Sequence, residues 1–148
     1  MADSIKVQTL HKLVEILQGV SGVGSVHLHQ GKPIDLDHVK LPALYLVEEE
    51  EVRGQRNRLA IGQLKFQLGI FIRLSAAGSS SFTTTAYNLQ ARIHNALATS
   101  GELNNGLAMN YREEGGQTEF PNDEFGVLYL RFTLTYGHAW GDAFTTAY

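Results

Sequence analysis

Leu64-Lys65-Phe66-Gln67-Leu68-Gly69-Ile70-Phe71-Ile72-Arg73-Leu74 is the stretch that decides the fold. Its even positions are all Leu, Phe or Ile, while its odd positions include Lys65, Gln67, Gly69 and Arg73. Side chains alternate across a strand, so a period of two sustained this far places one face on a core. The other face is left for solvent or a second chain. Residues 126–138 repeat the pattern: Leu128, Leu130, Phe132, Leu134 and Tyr136 share one face, and Val127, Tyr129, Arg131, Thr133 and Thr135 the other. Both strands are long for so small a chain.

Helical spacing supplies the cover. Ser4 can cap a helix to about Gln18, with Ile5, Leu10, Leu13, Val14 and Leu17 in one apolar stripe. Gly19, Gly22 and Gly24 then stop it. A second helix is expected from about Ser81 or Phe82 to Ser100-Gly101, on the stripe Ala86, Leu89, Ile93, Ala96 and Leu97. Short strands are expected at 25–29, at 43–47 (where Leu41-Pro42 forces an extended approach) and near 108–112. Residues 31–42, 48–59, 76–81 and 113–123 read as connections. The order is therefore α-β-β-β-α-β-β. It predicts an α+β fold, a mixed, mostly antiparallel sheet of four to five strands with two helices packed on one face. No repeat or linker interrupts it, so residues 1–148 are expected to form one domain, with 139–148 as a C-terminal tail.

Composition excludes several classes. The 148 residues are 43% hydrophobic and 18% charged, enough to bury a core and too apolar for disorder. No apolar run reaches bilayer-spanning length, so no membrane partner is expected. Met1-Ala2-Asp3-Ser4 leads into a polar amphipathic segment and does not read as a signal peptide. There are no cysteines, which rules out disulfides, thiolate metal sites and cysteine nucleophiles. Up to Leu74 there are nine Lys/Arg against eight Asp/Glu, and beyond it three against seven. That asymmetry is far from the basic stripe of a nucleic-acid binder.

The chemistry-bearing residues form no convincing catalytic set. His27 and His29 would share a strand face, and His38 could join them only if the next loop folded back; the spacing matches no metal motif. Glu48-Glu49-Glu50-Glu51 could pair only as Glu48/Glu50 and Glu49/Glu51 on a regular strand. Without a pocket to raise one pKa, the run reads as a solvated edge or one matched by a basic partner surface. Gly19-Val20-Ser21-Gly22-Val23-Gly24 follows a helix, the wrong side for a dinucleotide loop. The hydroxyls of Ser79–Ser81 and Thr83–Thr85 lack a base, and no nucleophile elbow is present. Arg53, Arg56 and Arg58 are the one basic cluster, too small for a phosphate footprint. They fit better against an acidic strip such as Glu48–Glu51 of a neighbouring copy. No catalytic, cofactor-binding or metal-ligating residue is assigned, and no cofactor is expected.

The whole pattern resembles the tail terminator, or tail-completion, proteins of long-tailed bacteriophages, including relatives described as minor tail or neck proteins. The features that carry it, in order, are the amphipathic first helix, Leu41-Pro42-Ala43-Leu44-Tyr45-Leu46 before an acidic segment, and the strand 64–74. The helix 86–97 and the closing Leu-Arg-Phe-Thr-Leu-Thr-Tyr of the last strand complete it. The resemblance implies a non-enzymatic ring subunit of the virion, commonly hexameric. It would sit at the head-proximal end of the tail, touching the tail tube protein and a head-side connector or neck protein. DNA would pass through the lumen unread. A head-side neck protein of similar fold, or an unrelated oligomeric binding module, are the alternatives. Ring closure needs a heterologous interface. The expected contacts are Glu48, Glu50, Arg53, Arg56, Arg58, Phe71, Arg73, Tyr129, Arg131 and Trp140, with sheet edges at 59–74 and 127–138. The segments 48–59 and 115–123 are the expected loops facing tube or connector. Trp140, Phe144 and Tyr148 lie outside the matched pattern.

Overall fold

The computed structural model describes residues 3–28, 35–56, 58–74, 79–99, 108–122 and 124–146. The first helix, α1 (Ile5–Gln18), starts where Ser4 Oγ accepts a hydrogen bond from the Val7 N–H at 3.3 Å. It stops at Gly19, whose N–H donates to the Glu15 and Ile16 carbonyls. Buried Thr9 interrupts its apolar stripe without an orphaned polar group, because its hydroxyl donates to the Ile5 carbonyl at 2.8 Å.

Then follow β1 (Ser25–Leu28), a 3-10 turn at Leu36–His38, β2 (Ala43–Arg56) and β3 (Leu59–Arg73). After α2 (Ser79–Thr99) come β4 (Ala108–Glu119), β5 (Phe125–Ala139) and β6 (Asp142–Thr146). The strand order across the sheet is β1-β2-β3-β5-β4, with β6 also paired to β5. Only β1 and β2 run parallel. The expected mixed, mostly antiparallel sheet with two helices on one face is thus observed. The C-terminal segment adds a strand beyond the four to five expected.

The two alternating stretches form the middle of this sheet, in continuous register from Leu59↔Ala139 to Arg73↔Phe125. Their even-numbered residues join Leu44 and Leu46 of β2, Ile5, Leu13 and Leu17 of α1, and Phe82, Ala86, Leu89, Ile93 and Leu97 of α2 in one core. A smaller cluster lies on the opposite face at one end. There Ala43, Phe71 and Val127 are covered by Leu36, Val39 and Leu41, so the expected polar connection carries apolar cover.

Several expected boundaries differ. β2 does not end at Val47 but runs through all four glutamates to Arg56, because charged side chains are tolerated on a strand whose outer side is open. The expected loop at 48–59 is therefore half a hairpin. The loop expected from residue 113 is strand as far as Glu119. Its glycine pair is absorbed by a register shift between Glu113 and Gly115, where Gly115 takes φ +121°. α2 begins two residues before Ser81. Most consequentially, 59–74 and 127–138 are not edges: each is hydrogen-bonded on both sides.

Candidate functional site

The acidic run is organised by one irregularity. Glu48 pairs in register with Phe66 and Glu50 with Lys65, leaving Glu49 as the extra residue of a β-bulge. The bulge changes which glutamates share a face. Glu48 and Glu51 turn to the helix side, where Lys6 of α1 reaches both, at 2.9 and 2.6 Å. Glu50 and Glu49 meet Lys65 (3.6 Å) and Arg131 (3.5 Å), which belong to the other face. The pairing expected on a regular strand is overturned, and the cations that answer the run are found in the same chain.

Glu51 is the centre of the inner group. Its carboxylate accepts from Lys6, from Arg53 and from the Tyr136 hydroxyl at 2.8 Å, and its side chain is only 12% exposed. Burial pushes its pKa up, but the donors from Lys6, Tyr136 and Arg53 outweigh it and hold the carboxyl below its ordinary value. Burial opposes the charge on Lys6 as well; Glu51 and Glu48 prevail and raise its pKa. Tyr136 is pushed up to about 12, first by burial and then by the bond to Glu51. Arg53 also reaches toward the Tyr136 oxygen at 3.4 Å. This box ties the first turn of α1 to the far half of the β2–β3 hairpin.

Beyond the box lies a groove of about 380 Å³, lined by Arg53, Gln55, Ala60, Gly62, Tyr136, His138 and Trp140 among others. Gly62 is required there: a Cβ at that position would run into the Tyr136 ring, its cross-strand partner. Trp140 stands at the rim, 58% exposed, and its backbone N–H donates to the Arg58 carbonyl at 2.8 Å. On the opposite face a second hollow of about 310 Å³ is lined by Tyr45, Val47, Gln67, Gly69, Phe71, Glu119 and Tyr129.

The structure scatters the expected contact residues. Glu48 and Arg53 lie on the helix side. Phe71, Arg73, Tyr129 and Arg131 lie on the other face, as the alternation predicts, and Glu50 joins them only because of the bulge. Arg58 is exposed at the hairpin end, beside Arg56, whose side chain lies outside what the structure describes. Phe71 is 6% exposed and its ring meets Tyr45 and Tyr129 edge-on, so its own chain already covers it. Arg73 lies 4.9 Å over the Phe125 ring. Tyr136 reads in the sequence only as a core-facing strand residue, and Lys6 and Gly62 give no signal of this box; a lone Lys on an amphipathic helix does not announce a distant carboxylate.

Two edges of the sheet are open among the described residues. β1 pairs β2 only from Ala43 to Leu46, which leaves Val47–Gly54 with no outer neighbour. β4 pairs only β5. Of the histidines considered for a metal, His27 stacks on Tyr45 and His38 contacts Asp35, while His29 lies outside the described residues. Among the described residues no group of three or more His, Cys, Asp or Glu is placed to hold a metal ion. None of the described helices is long and apolar enough to cross a membrane.

No protein-family model and no curated protein matches the chain. Among solved structures, a chain of the virion of a native gene transfer agent (GTA) particle has a similar fold. The TM-score is 0.54 at 16% sequence identity, over 89% of this chain and 90% of that one.

Proposed function

We propose that this chain is a non-enzymatic virion subunit that forms a ring on the head-proximal end of a phage tail tube. There it would stop tube polymerisation and present the joining surface for a head-side connector or neck protein. The observation that carries this reading is the fold, shared over nearly the whole length with a chain of a virion particle. It agrees with the order of elements that resembles tail terminators. A hexamer is the expected ring, as the resemblance implies, and DNA would pass its lumen without sequence readout.

The molecule's own features support a shape-based role. The acidic run is paired within the chain and the hollows are open grooves, arrangements that hold a framework together rather than activate a nucleophile. A ring needs two different surfaces per subunit, and among the described residues the sheet ends in two different open edges. Electron microscopy and mass measurement in solution test the reading: closed rings are expected. A particle that stays monomeric across micromolar concentrations, and does not bind the ends of tail tubes, would overturn it.

A further inference from the structure

Between the two open edges the sheet has four strands, β2-β3-β5-β4, and every pairing among them is antiparallel. The outer strands of an even, alternating set run in opposite directions. A second copy rotated about an axis along the strands therefore brings its β4 antiparallel to the first copy's β2. The added strand continues the alternation, and the same junction can repeat from copy to copy.

Resting on the ring reading above, we infer that neighbouring copies join by strand addition, the Val47–Gly54 edge of β2 receiving β4 of the next copy. Charge favours this junction over self-pairing of either edge. Two β2 strands laid antiparallel on each other would set Glu48–Glu51 against Glu48–Glu51, and like charges directly opposite are unfavourable. β4 against itself repeats the problem with Glu113 and Glu114. In the mixed junction the ends of one row are complementary. Glu50, Lys65, Thr133 and Arg112 lie in register across the sheet, so an unstaggered copy brings Arg112 to Glu50, both exposed and each already paired in its own chain, with Glu114 and with Lys65. Glu48 then faces Glu113, each already held in its own chain, by Lys6 and by the Tyr111 hydroxyl. Because β1 occupies Ala43–Leu46, only the Ala108–Gly115 half of β4 fits this register, and the rest must leave the sheet beyond the Gly115 bulge or the copy must stagger. Main-chain hydrogen bonds would supply the attraction and this row the choice of partner.

The absence of cysteine gives a direct test. Glu50→Cys would be combined in turn with Arg112→Cys, Glu114→Cys and Gln117→Cys to allow for stagger, and each single variant would be oxidised alongside. Within one chain the two edges are three strand spacings apart, about 14 Å, beyond disulfide reach. At least one double variant is expected to give a ladder of covalent multimers, with each single variant staying monomeric on a non-reducing gel. Dimers from a single variant matching the yield of the doubles would overturn the mixed junction. Rings by solution mass with no ladder from any pair would overturn strand addition while leaving the ring reading intact. Failure of the unsubstituted chain to form rings in solution and to bind the ends of tail tubes would refute the ring reading, and the junction with it.

Discussion

Glu51→Gln is the substitution that most directly tests how the acidic run is held. The amide keeps the volume and one acceptor oxygen but removes the charge that Lys6, Arg53 and Tyr136 share. The Lys6 and Arg53 side chains are 35% and 64% exposed, so solvent screening reduces each contact to about 0.5 kcal/mol. Tyr136 is only 1% exposed; its hydroxyl loses a charged acceptor and finds little water, which costs about 1 kcal/mol more. The expected loss is about 2 kcal/mol, or roughly 4–8 °C in Tm for a chain of this size. Urea unfolding of the single variants Glu51→Gln and Tyr136→Phe, and of the double, measures both the loss and its origin. In the Tyr136→Phe background, Glu51→Gln should cost about 1 kcal/mol less. A Glu51→Gln variant within about 0.5 kcal/mol of the parent, with no coupling to Tyr136, would refute the box as a stabilising element.

The same groups predict a pH dependence with two arms. Glu51 has a lowered folded pKa, so its contribution is full above the ordinary value of 4.5 and is lost as pH falls through the folded value. Tyr136 is raised from 10.0 to about 12, so its contribution is full below pH 10 and is lost on rising toward 12. In thermal melts across pH, Glu51→Gln should flatten the acid arm and Tyr136→Phe the alkaline one. Gly62→Ala should destabilise by about 1–3 kcal/mol, because its methyl group enters the Tyr136 ring, whereas Gly54→Ala meets no atom within 4 Å and should change stability little. Chemical denaturation of the pair reads the contrast directly.

What could be read from the residues alone depended on whether a signal was local. The β3 and β5 alternations, the Ser4 cap and the stripes of α1 and α2 are set by neighbours within a few positions, and all lie where they were expected. β2 and β4 extend further because an edge strand exposed on both faces of its outer half shows no apolar alternation. The bulge at Glu49, and with it the true pairing of the four glutamates, depends on Lys6, Arg131 and Lys65 from other elements. Strand order was likewise invisible. A long alternating stretch does not say whether it is flanked by one strand or two, and here the most conspicuous stretches are the interior ones. β6 gives no sequence signal because its residues are too few to show a period.

Glu49 has no register partner on β3, so its deletion would leave every other β2–β3 pair in place and straighten the strand. A straight strand with an open side is a template for almost any extended polypeptide, including those of half-made neighbours on a ribosome. β4 is uneven too, with register shifts after Ala108 and after Glu113. Contoured in this way, the two flanks would disfavour fibrous growth and favour a strand of matching outline. If copies join through these flanks as proposed above, the contour would let a subunit tell its own kind from other exposed chains.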